Sequence, residues 1–148
     1  MKKIKTCGIL IVLVSCILLI SCNGSDRLKD GYYKAETSEY DHGWKEFVSV
    51  CVMEGNIVSV EYNAKNSSGF IKSWDMAYMR NMDKAKGTYP NEYTRNYARQ
   101  FFENQNAAKV DALSGASSSA GKFEKLAAAV FEQAKKGDTT IAVIDVGE

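Results

Sequence analysis

Asp111-Ala112-Leu113-Ser114-Gly115-Ala116-Ser117-Ser118-Ser119-Ala120-Gly121 gathers small and hydroxyl-bearing residues just ahead of an amphipathic pattern. A segment of this kind opens a helix. A helix start offers unpaired backbone N–H groups and partial positive charge, both of which favour a phosphate. Gly115 and Ala116 permit close backbone approach, and Ser117, Ser118 and Ser119 supply hydroxyls. On composition alone the plainer reading is a serine N-cap in front of the helix. Other chemistry is sparse. His42 is the single histidine, so there is no Cys/His constellation for a metal. There is no nucleophile–base pair, no paired carboxylates at useful spacing and no dinucleotide fingerprint, which argues against an enzyme and names no catalytic residue.

Asp111-x-x-Ser114-Gly115-Ala116-Ser117 resembles the flavinylation motif of the FMN-binding domain family. That family includes the C subunit of the sodium-translocating NADH:quinone reductase, the G subunit of the Rnf complex, and flavinylated lipoproteins of extracellular electron transfer. Its pattern is Asp, two variable residues, Ser or Thr, Gly, Ala, then Thr or Ser. The last hydroxyl receives FMN from FAD through a dedicated FMN transferase. The resemblance implies Ser117 as the attachment residue, with Asp111, Ser114, Gly115 and Ala116 as the recognition residues around it. Many members carry Thr at this position, and a serine hydroxyl forms the same phosphoester. Ser118, Ser119 and noncovalent binding stand as the alternatives. The chain is also similar to a group of small membrane-anchored FMN-binding lipoproteins, through Asp41-His42-Gly43-Trp44, Gly69-Phe70-Ile71-Lys72-Ser73-Trp74-Asp75 and Tyr89-Pro90-Asn91-Glu92-Tyr93. The resemblance implies a flavin electron carrier whose partners are the transferase and a redox partner protein or quinone-linked membrane complex. The alternative is a non-redox lipoprotein that binds flavin or another small ligand, a surface antigen.

A flavin ring has apolar faces that aromatic side chains cover well. Trp44, Trp74, Tyr78 and Tyr89 are candidates, each with core packing as its alternative. Lys72 is a candidate cation for the N1–C2=O edge of the ring, where it would stabilise the anionic reduced form; its alternative is a solvated surface lysine. Met76, Met79 and Met82 read as core filler.

The N-terminus reads as a targeting segment. Lys2, Lys3 and Lys5 precede an apolar run from Gly8 to Ile20, broken only by Ser15 and Cys16, and Asn23-Gly24-Ser25-Asp26 is abruptly polar. This is signal-peptide layout, too short to span a bilayer comfortably. Leu19-Ile20-Ser21-Cys22 resembles a lipobox, which implies acylation of Cys22 and anchoring at the cell membrane on its extracytoplasmic side. The expected organisation is a signal peptide over 1–21, a lipidated polar tether over 22–30 and one FMN-binding domain over 31–148. The whole chain carries +1, from 19 basic and 18 acidic residues. Nothing in it suggests a nucleic-acid partner. Cys51 would be the one cysteine of the mature domain and reads as a small buried hydrophobe.

Strands are expected over 31–37, 47–53 and 57–62, the last two joined by a hairpin at Gly55-Asn56. Val58, Val60 and Tyr62 are expected on one buried face. A helix capped by Ser73 or Asp75 should run to about Lys86 and stop at Gly87. Pro90 suits the first turn of a second helix, whose Tyr93, Tyr97 and Phe101 recur every four residues. A last helix is expected from about Ser119 to Lys136, with an apolar stripe of Phe123, Leu126, Ala127, Val130 and Ala134. A terminal strand falls within 139–146. Strands first and helices later imply an α+β single domain, a small antiparallel sheet with helices packed on one side.

Overall fold

The computed structural model describes residues 27–107 and 109–147. The signal segment and Cys22 lie outside the described residues. The chain forms strands β1 (Gly31–Thr37), β2 (Lys45–Met53) and β3 (Asn56–Lys65), a short 3-10 turn (Lys72–Trp74), helices α1 (Met76–Lys86), α2 (Pro90–Asn104) and α3 (Ser117–Lys136), and strand β4 (Ala142–Ile144). The sheet order is β3-β2-β1-β4. The architecture is α+β, with the three helices packed on one side of the sheet. The sheet is mixed, because β1, β2 and β3 are antiparallel neighbours while β4 is parallel to β1. The direction of α3 explains this. Lys122, near the helix start, pairs with Asp41 beyond the end of β1, and Ala134, near the helix end, accepts the Lys29 N–H just before β1. The chain therefore leaves α3 at the beginning of β1 and runs back alongside it in the same sense.

The hairpin turn is Glu54-Gly55, one residue earlier than the Gly55-Asn56 reading. Both residues are left-handed, at φ 54° and 78°, the backbone of the tight hairpin turn that suits strand twist. Met53 pairs with Asn56 directly across it. The buried face of β3 also differs from strict alternation. Pairing passes from Cys51–Ser59 to Val52–Ile57, which leaves Val58 as the extra residue of a bulge. Ile57 then joins Tyr62 in the core while Val58 is turned out to solvent.

Residues 27–30, read as part of a polar tether, are packed onto the domain. Leu28 belongs to the core. The Arg27 guanidinium donates to Glu54 O at 2.6 Å, Gly55 N–H donates to Asp30 Oδ1 at 2.9 Å and Lys29 N–H to Ala134 O at 2.9 Å.

The face of the sheet beneath the helices is filled by α2 against β3 and by α3 against β1 and β2. Tyr93, Tyr97 and Phe101 of α2 and Phe123, Leu126, Ala127, Val130 and Ala134 of α3 are all buried. Helix α1 buries no residue. Met76 is exposed and Met82 alone among the three methionines packs against the core, only partly buried. The methionine stripe is therefore not core filler, since α2 and α3 already cover the sheet. Asp75 caps α1 by accepting the Tyr78 N–H at 2.9 Å, and Gly87 ends it at φ 70°. Cys51 is buried, as its strand context suggests.

Three strands are tied across by one carboxylate. Lys45 and Lys65 are direct cross-strand partners, a like-charge pairing that repels. Glu36 lies 3.0 Å from each and 3.2 Å from Lys34. Burial pushes the Glu36 carboxyl up, but Lys45, Lys65 and Lys34 together hold it at about 2, against an ordinary 4.5. A carboxyl lowered by folding stabilises fully above its unfolded value and loses that effect as pH falls through its folded value. Glu36→Gln is thus expected to lower the urea midpoint at neutral pH. The gap from wild type should close as the pH falls from 4.5 through 2 in a denaturation series.

Candidate functional site

The segment between α2 and α3 is held by side chains of α2. Asp111 N–H donates to Gln100 Oε1 at 2.7 Å, and Gln100 Nε2 donates back to Asp111 O at 3.2 Å. Leu113 N–H donates to Tyr97 Oη at 3.0 Å, and the Tyr97 hydroxyl donates to Ala116 O at 3.1 Å. Ala116 N–H closes a turn onto Leu113 O at 3.0 Å. Gly115 adopts φ 82°, and a Cβ there would stand 2.5 Å from Lys86 O. Both the backbone conformation and the space demand glycine.

Helix α3 begins at Ser117, two residues before the expected start. Its N-cap is the buried Ala116, which provides no side-chain cap, and its first turn carries no acidic residue. The serines therefore occupy the first helical positions, and none of them is the N-cap that composition alone favours. Ser117 and Ser118 are exposed and Ser119 is half-buried. A 20-residue helix starting without a side-chain cap presents its first N–H groups and its positive dipole end to whatever sits there. Asp111, Ser114, Gly115, Ala116, Ser117, Ser118 and Ser119 are thus one continuous loop and helix start, with Asp111 and Ser114 exposed.

Two concavities flank this loop. One, of about 400 Å³, lies against α2 and includes Arg99, Gln100 and Asp111. The other, of about 680 Å³, lies between the 37–46 segment and α3, and includes Asp41, Trp44, Glu46, Ser118 and Lys122. Volumes of this order suit small organic ligands. Lys72 and Trp74 line neither. The Lys72 ammonium sits 4.7 Å from the Tyr78 ring centre and 5.8 Å from that of Trp44. Trp74 is 64% exposed and meets Phe70 edge-on at 6.4 Å. Tyr89 is also exposed, whereas Trp44 is buried and meets Tyr78 edge-on at 6.0 Å.

The larger cleft has its own electrostatics. Lys122 pairs with Asp41 and stands 3.7 Å from Glu46. Lys122 and then His42 hold the Asp41 carboxyl at about 2. Glu46 is buried, and burial raises its carboxyl above the ordinary range despite the Tyr62 hydroxyl 2.5 Å away. Burial likewise pushes the Tyr62 phenol far above its usual value. Glu46, Lys122 and Tyr62 were not among the site residues expected from sequence. A signal for Glu46 exists. It shares strand parity with Val48, Val50 and Val52, all buried, so alternation places a carboxylate on the core face once β2 is started at Lys45 rather than Phe47.

No protein-family model matches the chain. It is 32% identical over 127 residues to the 15 kDa lipoprotein of Treponema pallidum (strain Nichols), across 85% of this chain and 89% of that protein. The crystal structure of the CPE2226 protein from Clostridium perfringens superposes with a TM-score of 0.75 at 35% identity, over 80% of this chain and 98% of that one. A solution structure from Clostridium thermocellum gives a TM-score of 0.50 at 28% identity, over 72% of this chain and 92% of that one.

Gly115→Ala should cost about 1–2 kcal/mol for the left-handed backbone alone, and more for displacing the Lys86 carbonyl. Urea denaturation measures the cost, and hydrogen exchange at Leu113 and Ala116 should report loosening of the loop.

Proposed function

The chain belongs to the family of the 15 kDa lipoprotein of Treponema pallidum, and on that premise we propose that it is a membrane-anchored lipoprotein that carries FMN as a phosphoester on Ser117 and passes electrons to a partner protein or quinone-linked membrane complex. Cys22, at the polar end of the apolar N-terminal run, is the residue proposed to carry the lipid, on the extracytoplasmic side. Acyl chains there would hold the domain at the bilayer by burying their methylenes.

The observation that carries the flavin reading is the start of α3. The Ser117 residue is exposed and opens a helix whose cap contributes no side-chain hydrogen bond. The residues present fit a phosphate ester. Gly115 and the buried Ala116 let the backbone turn closely ahead of the serine, and Tyr97 braces that turn from both sides. The N–H groups of the first turn would face the phosphate oxygens with the favourable end of the dipole. Asp111, tied through its backbone to Gln100, keeps its carboxylate exposed, where a maturation enzyme could read it. Bound FMN would supply the redox chemistry by accepting and releasing electrons in its ring. The chain's own part would be to hold that ring at the protein, to limit water on one of its faces and to set the charge around it. Ser118 belongs to the cleft wall, so the phosphoester would lie within one residue of the space where Trp44 offers an apolar surface.

A second reading is a noncovalent small-ligand carrier with no redox role. The 680 Å³ cleft favours it, because its aromatic and charged wall needs no modification to bind a ligand.

Intact-mass analysis of the mature protein, produced together with an FMN transferase, separates these readings. One FMN less a water is expected on the wild type and none on Ser117→Ala. An unmodified wild-type mass would refute covalent attachment. An adduct surviving in Ser117→Ala would move it to Ser118 or Ser119. In the same measurement Cys22→Ser should lose the diacylglyceryl mass and leave the membrane fraction.

A further inference from the structure

Glu46 is an acid in the protein wall of the larger cleft. The residue is 7% exposed, and it lines the cleft beside Asp41, Trp44, Ser118 and Lys122. Its Oε2 is 2.5 Å from Tyr62 Oη. The same Oη is 3.1 Å from Ser119 O in the first turn of α3. A phenol has one proton, and a carbonyl oxygen only accepts. If Tyr62 donates to Ser119, the short contact to Glu46 needs a proton from the acid. A neutral Glu46 donating to Tyr62, which in turn donates to Ser119, satisfies both contacts; an ionised Glu46 leaves one without a proton. Burial acts in the same direction, raising the Glu46 carboxyl above the ordinary range.

The groups that face Glu46 are Tyr62 from β3, Tyr93 from α2, Lys122 from α3, Lys72 from the 3-10 turn and Asp41 from the loop before β2. Lys122 leads outward from Glu46 to Asp41, and Asp41 to His42 at 2.5 Å. Side-chain exposure rises along that line from 10% at Glu46 through 19% at Lys122 and 57% at Asp41 to 90% at His42. A buried carboxyl is therefore joined to the solvent-exposed rim by a line of charged side chains along one wall of a ligand-sized cleft.

We propose that Glu46 is the proton-exchanging acid of this cleft, giving its proton to a bound flavin ring when that ring is reduced and regaining one from solvent through the open cleft. The proposal rests on the flavin reading above. Two electrons come from a reduced partner protein. The Glu46 O–H bond breaks and an N–H bond forms on the ring. Glu46 is left as a carboxylate that the Lys122 ammonium, 3.7 Å away, stabilises, and one proton from solvent in the cleft restores it.

The test uses the mature protein in detergent and has two measurements. Infrared spectra without flavin are expected to show a protonated-carboxyl C=O band at neutral pH, absent in Glu46→Gln and displaced in Tyr62→Phe. Stopped-flow reduction of the FMN-loaded protein by dithionite is expected to be about 100-fold slower in Glu46→Gln, with loss of the wild-type solvent isotope effect. Tyr62→Phe keeps its ring in the core, and it carries the same expectations of an altered band and slowed reduction if Glu46→Gln does not fold. Absence of the band, or equal reduction rates in wild type and variant, would overturn the proposal. A band with no flavin taken up would refute the flavin reading and the proton transfer with it.

Discussion

Two core tyrosines hold this structure together and also build its candidate site. Tyr62 and Tyr97 stack at 6.3 Å between ring centres, and each packs against Phe123 of α3, at 4.9 and 5.9 Å. Such pairs contribute about 0.5–1.5 kcal/mol each beyond the area they bury. The rings join β3, α2 and α3 into one core, and the hydroxyls reach its edge. Tyr97 Oη takes the Leu113 N–H and gives to Ala116 O, while Tyr62 Oη meets Ser119 O and Glu46. Buried phenols need partners, and here those partners are the loop and helix start that carry Ser117. The core contacts that join these three elements and the shape of the 111–119 segment thus share the same two side chains.

Two glutamates ten residues apart show how position in the sheet decides chemistry. Glu36, on β1, meets Lys34, Lys45 and Lys65 and is held ionised at about 2. Glu46, on β2, shares the core face with Val48 and Val50, and burial outweighs the nearby hydroxyl and lysines. One carboxylate cancels a cross-strand lysine repulsion, and the other is buried beside a cleft with its carboxyl raised above the ordinary range. Their local sequences do not distinguish them. Burial penalises the charged form of both, and the number of cations within reach settles the sign.

Much of the architecture was legible in the chain. The aromatic spacing of Tyr93, Tyr97 and Phe101 and the stripe from Phe123 to Ala134 both give buried helix faces, because a helix can only bury what recurs on one side. Gly87 and Gly137 end helices in the left-handed conformation, which no side chain opposes in glycine. The methionines of α1 show the limit of the same argument. Helical spacing describes a face but not what is left to cover it, and α2 and α3 make the contacts that fill the sheet face while α1 buries no residue. At Val58 strict alternation failed because a bulge adds a residue that no sequence period announces. The parallel pairing of β4 depends on where α3 ends, a long-range fact absent from the short apolar run at Ala142–Ile144.

For the site, the sequence by itself determined that Asp111 to Ser119 is one small-residue segment leading into a helix, that glycine stands at 115, and that a lipobox-like Cys22 lies at the end of an apolar run. These are local properties, carried by residue type and spacing. Only the tertiary structure decided that Ala116 rather than a serine is the cap, that Lys72 is spent on Tyr78 and Trp44, and that Trp74 faces solvent. It alone brought Asp41, Glu46 and Lys122 together, residues up to 81 positions apart. Charge and burial at a cleft are sums over neighbours that chain folding supplies, and no single segment contains them.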